Sequence, residues 1–104
     1  VTTRHRTDAN HTAVCALLRQ LGYVVLDTSQ SNIGFDALIA RGGRLLAIEI
    51  KDGEKPMSKQ ALTTHEADVH RALLSAGVRV EIIRSEADCE VLGRVVQERT
   101  GYAG

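Results

Sequence analysis

The chain has 104 residues, 43% of them hydrophobic, and its 13 basic side chains cancel its 13 acidic ones. A chain of that length supports one core that buries roughly two-thirds of the unfolded surface, so it reads as a single domain over 1–104. The zero net charge excludes the global positive field that would by itself signal nucleic-acid binding, although an acidic metal pocket inside a basic rim gives the same sum.

No run approaches the roughly 18 apolar residues needed to cross a bilayer, and the polar start from Val1 to Asn10 lacks a signal-peptide core. The expectation is a soluble cytoplasmic protein. Cys15 and Cys89 lie far apart in apolar helical patterns without a CxxC pair, which points to buried free thiols rather than a metal pair or a disulfide.

A first helix is expected from Thr7 or Asp8, either of which can cap it. It would bury Val14, Leu17, Leu18 and Leu21 and end at Gly22. Tyr23 to Leu26 reads as a strand, and a polar loop from Asp27 to Gly34 leads to a second strand, Phe35 to Ala40. Gly42-Gly43 separates that run from Leu45 to Lys51, a hairpin signal. The segment 52–60, with Gly53, Pro56, Ser58 and the charges Asp52, Glu54, Lys55 and Lys59, reads as a loop. Thr63 with Glu66 forms a capping box, with Leu62 as a hydrophobic staple, for a helix that Gly77 ends. Val78 to Ile83 is β-branched and reads as a strand. Ser85 with Asp88 opens a last helix carrying Cys89, Leu92, Val95 and Val96. The order is αβββαβα, an α/β fold with a mixed central sheet flanked by helices, its parallel pairing supplied by the crossover before Val78.

If Gly42 and Gly43 make a two-residue turn, Arg41 faces Arg44 and the count back along both strands sets Asp36 opposite Glu49. A four-residue turn keeps this register, whereas a three-residue loop shifts it by one. Facing residues on an antiparallel pair have Cβ atoms about 4.5–5.5 Å apart, where like charges repel unless a cation compensates. Alternation through Leu46, Ala47, Ile48, Glu49, Ile50 and Lys51 puts Glu49 and Lys51 on one face and Leu46, Ile48 and Ile50 on the other. Two carboxylates suit Mg²⁺, and an ammonium beside them suits phosphodiester hydrolysis, because it can orient water or offset developing charge. The plainer alternative is a loop-end acid beside the solvated face of an amphipathic strand.

Gly34-Phe35-Asp36-Ala37-Leu38-Ile39, Ile48-Glu49-Ile50-Lys51-Asp52-Gly53, the preceding Asp8-Ala9-Asn10-His11 and the following Lys55-Pro56, Ser58 and Leu62-Thr63, in this element order, cover most of the chain. Together they resemble the PD-(D/E)xK nuclease superfamily with its restriction-endonuclease-like core, more narrowly the virus-type replication-repair nuclease (VRR-NUC) domains and related phage Holliday-junction-resolvase-like nucleases. The resemblance implies that Asp36, Glu49 and the Ile50 carbonyl hold Mg²⁺ or Mn²⁺ and that Lys51 is the catalytic lysine. It also assigns Asp8 or, preferably, Asn10 to the metal site from the first helix. Glu66 stands where the family often carries a glutamine, and Phe35 where it usually carries proline. A DNA endonuclease selective for branched, flapped or four-way substrates follows, acting as a homodimer in a bacterial or phage-infected cell. The alternative is an inactive DNA- or protein-binding accessory module.

The stretch from His65 to His70 fails as HExxH because Val69 stands where the second histidine belongs. Glu66 and His70 share a helix face, more simply as a surface pair than as neighbours of the site. No GxxxxGK[ST] occurs. Lys55, Lys59 and Arg71 could form a phosphate-tracking rim. With only Phe35, Tyr23 and Tyr102 aromatic, little is available for base stacking, so DNA shape rather than sequence would be read.

Overall fold

A computed structural model describes residues 9–92. The Thr7 or Asp8 cap, Val95, Val96 and Tyr102 lie outside the described residues, and of Lys59 only the backbone is described. The elements run α1 (Ala9–Gln20), β1 (Val24–Asp27), β2 (Ala37–Arg41), β3 (Arg44–Ile50), α2 (Met57–Gln60), α3 (Thr64–Ser75) and β4 (Glu81–Ile83). The chain turns helical again over 86–92, labelled α4. This is an α/β fold whose four strands form a mixed sheet in the order β1-β2-β3-β4. β3 pairs antiparallel with β2 and parallel with β4.

One face of the sheet carries Ala37, Ile39, Leu46, Ile48, Ile50 and Ile83. It packs against Val14, Cys15 and Leu18 of α1 and Cys89 and Leu92 of α4. The buried stripe of α1 also takes in His11, while Leu17 and Leu21 lie at its margin. Tyr23 does not start β1 as expected. Its N–H donates to the Leu18 carbonyl and that of Gly22 to Arg19, so a Schellman cap ends α1 and occupies the residue. The second sheet face exposes Val24, Leu26 and Leu45, and α3 covers it at the end where Glu49 lies.

Three further expectations are revised. The presumed loop 52–60 contains the single turn α2, whose Gln60 is buried and holds the Gly53 and Lys55 carbonyls at 3.5 and 2.7 Å. The strand expected over 78–83 is restricted to β4, which pairs with β3 only from Ile48 to Ile50, while a cavity separates Val78 and Arg79 from Leu45 and Leu46. At the start of α4 half of the expected box forms: Ser85 Oγ accepts the Asp88 N–H at 3.4 Å, but the Asp88 carboxylate accepts the Arg84 N–H at 2.7 Å and not that of Ser85. The Thr63–Glu66 box forms as expected. Among the described residues no helix is long and apolar enough to cross a membrane.

Candidate active site

The hairpin forms in the expected register. Gly42 and Gly43 have φ of 61° and 78°, the left-handed pair that a two-residue turn of matching twist requires, and Arg41 pairs with Arg44. The ladder ends at Ala37 opposite Ile48, and Asp36, in the bend just before it, comes close enough for its charge to act on the Glu49 carboxyl. Asp36 is fixed there by its backbone. Its N–H donates to the Ile48 carbonyl at 2.9 Å, and its own carbonyl accepts from the Thr28 N–H at 2.8 Å. Its Oδ2 accepts the Ile50 N–H at 2.7 Å, which aims the carboxylate along β3.

Glu49 is 1% exposed, an unusual position for an acid, since burying an ionised carboxylate is costly unless it is paired. Its Oε2 lies 3.3 Å from Lys51 Nζ, whereas Oε1 has no hydrogen-bond partner, with His70 Nε2 3.7 Å away. Burial first, then the Asp36 and Glu66 carboxylates, push Glu49 up to about 8 against the opposing pull of Lys51. The Lys51 ammonium also lies 3.4 Å from Glu66 Oε1, so one lysine serves two acids.

Glu66 has two roles. The same Oε1 accepts the Thr63 N–H at 2.9 Å in the capping box and reaches Lys51. Its pKa is lowered: burial opposes ionisation, but the Thr63 N–H, Glu49 and Lys51 outweigh it. The surface pair expected of Glu66 and His70 is not what forms, because both point at the hairpin. His70 Nε2 bonds the Gly34 carbonyl at 2.9 Å and His65 Nε2 the Asn32 carbonyl at 2.9 Å. A carbonyl only accepts, so both nitrogens carry protons, and together they fasten α3 to the loop that delivers Asp36.

Asn10 lies beside the site rather than among its acids. Its amide donates to the Lys51 carbonyl at 2.8 Å and so anchors the end of β3 to α1. Arg71 is engaged by Asp68 at 3.0 Å on an exposed surface, and Lys55 is exposed in the loop after β3. Asp36 and Glu66 border a polar cleft of about 120 Å³ with Ser29, Asn32, Gly34 and Thr63, roomy enough for a hydrated ion and its waters.

The chain was compared with protein-family models, curated proteins and solved structures. None of them matches it. Asp36, Glu49 and Glu66 against Lys51 form an oxygen-rich, net negative group with one unpartnered, buried carboxylate oxygen. That donor set fits a hard divalent cation of the Mg²⁺ or Mn²⁺ type.

Proposed function

We propose that this protein is a Mg²⁺- or Mn²⁺-dependent endodeoxyribonuclease with a PD-(D/E)xK-type αβββαβα core. The observation that carries the reading is the buried Glu49 beside the Asp36 charge, with one carboxylate oxygen unpartnered and the Lys51 ammonium 3.3 Å from the other. Asp36 and Glu49, with the Ile50 carbonyl, would hold the cation. When bound, it polarises a phosphoryl oxygen and acidifies water.

The chain's own residues supply the rest. Lys51 has three donor protons, directed at Glu49, Glu66 and the Ala61 carbonyl at 3.3–3.4 Å; by exchanging one of these long contacts it would orient a water molecule or offset charge developing on the phosphoryl group. Glu66 restrains Lys51, and His65 and His70 keep α3 against the hairpin. Lys55 and Lys59 would follow the DNA backbone, with Arg71 joining only by leaving Asp68. The scarcity of aromatic side chains favours selection of branched, flapped or four-way DNA by shape over base readout. A homodimer acting in the cytoplasm would give one small domain enough surface to grip such a substrate.

The test is incubation of the purified protein with Mn²⁺ and linear, flapped and four-way DNA. Cleavage that Asp36→Asn and Lys51→Ala both abolish supports the proposal. Binding of DNA without cleavage would instead mark an accessory module, with Lys51→Ala silent.

A further inference from the structure

We propose that His11, Cys15 and Asp27 form a second metal site, for Zn²⁺ or a similar borderline-soft transition ion, that clamps α1 to β1. The site stands independently of the nuclease reading. Cys15 is the buried free thiol expected from the sequence, and the proposal adds a ligand role to it.

His11 and Cys15 lie four residues apart on α1 and so share one helix face, and both are buried, at 8% and 4% exposure. Asp27, the last residue of β1, closes the group, with Oδ2 3.1 Å from His11 Nε2. One imidazole nitrogen, one sulfur and one carboxylate oxygen all lie within 4.8 Å of one another. Zinc bonds of about 2.0–2.3 Å set tetrahedral ligands roughly 3.3–3.8 Å apart, so small side-chain rotations close the set. A nitrogen–sulfur–oxygen trio selects zinc-like ions and not Mg²⁺, which prefers oxygen alone.

The surroundings match those of a metal ligand set. Asp27 Oδ1 accepts from both the N–H and the Oγ of Ser29, at 2.9 and 2.6 Å, which orients Oδ2 toward His11. Outer hydrogen bonds of this kind fix ligating carboxylates. The Asp27 side chain is 40% exposed, so ions can enter and water can take the fourth position.

Both anchors adjoin the hairpin. Asn10, next to His11, holds the Lys51 carbonyl, and Thr28, next to Asp27, holds the Asp36 carbonyl through its N–H and the Phe35 carbonyl through its hydroxyl. A metal here would stiffen the two segments that position Asp36 and Lys51.

The deciding experiment titrates the metal-free full chain with Co²⁺ and follows thiolate-to-cobalt charge-transfer absorption. One equivalent should develop the band, and Zn²⁺ should bleach it. The band should persist in the Asp36→Asn/Glu49→Gln double variant, which lacks the hard-ion ligands. Cys15→Ser should abolish it, and Asp27→Asn, at a solvent-facing position, should weaken Co²⁺ binding at least roughly tenfold. Zinc at about a hundred times its Kd should raise Tm by roughly 10 °C or more in the wild type and less in Asp27→Asn. No sulfur-to-cobalt band in folded protein would overturn the proposal. So would a band that survives Cys15→Ser, or one that Asp27→Asn leaves at full affinity.

Discussion

The loop from Thr28 to Phe35 joins two polar clusters of opposite character. At its start, His11 and Asp27 satisfy each other. The Cys15 sulfur, against the opposing effect of burial, and then Asp27 hold His11 up at about 9, while Ser29 and His11 hold Asp27 below its ordinary range despite its partial burial. At its end, Glu49 and Glu66 share Lys51 while Asp36 adds a third acid nearby, and Glu49, by burial first, is pushed up to about 8. The first cluster is charge-balanced when no ion is bound, its imidazole proton standing where a transition ion would; the second is electrostatically frustrated until a cation arrives. Frustration of that kind is expected where a chain is arranged for a ligand and not for its own stability.

The largest expected effect separates chemistry from structure. Lys51→Ala should lower DNA cleavage by roughly 10²–10³, as loss of one preorganised donor does, with the circular dichroism spectrum unchanged. Next comes Gly34→Ala. Its φ is +113° and a Cβ there would meet the Val69 side chain at 2.6–2.7 Å. Overpacking costs about 1–3 kcal/mol, to which the unfavourable backbone adds, and urea unfolding should recover part of the loss in Gly34→Ala/Val69→Ala.

A smaller effect has a distinctive sign. In a chelator, folded Glu49 keeps its proton up to about pH 8 whereas the unfolded chain releases it near pH 4.5, so its stability contribution declines as pH rises across that window. Glu49→Gln should flatten this slope and raise Tm at pH 8 by roughly 4 °C or more, while removing Mn²⁺ affinity. For His11 the raised pKa means its contribution is complete below about pH 6.5 and disappears as pH rises through about 9. Asp27→Asn should reduce that decline in thermal melts without changing metal-free behaviour at the hairpin.

The parts governed by local rules were legible in the sequence. Gly42-Gly43 set the register, Thr63 and Glu66 capped α3, and the alternation through β3 separated Glu49 from the core. The parts decided by tertiary contact were not. His70 shared a helix face with Glu66, but only the seating of α3 on the loop at Asn32 and Gly34 turned that face toward Glu49. His11 was missed because a histidine at position 11 extends the apolar spacing of Val14, Cys15 and Leu18 without being apolar, and its partner Asp27 is 16 residues away.

Mn²⁺ binding, measured by electron paramagnetic resonance alongside cleavage on the same samples, tests the central claim most directly. Wild-type protein should take up Mn²⁺ and cut DNA, and Asp36→Asn should lose both while folding normally. Wild-type protein that binds no Mn²⁺, or Asp36→Asn that binds and cuts as well as the wild type, would contradict it.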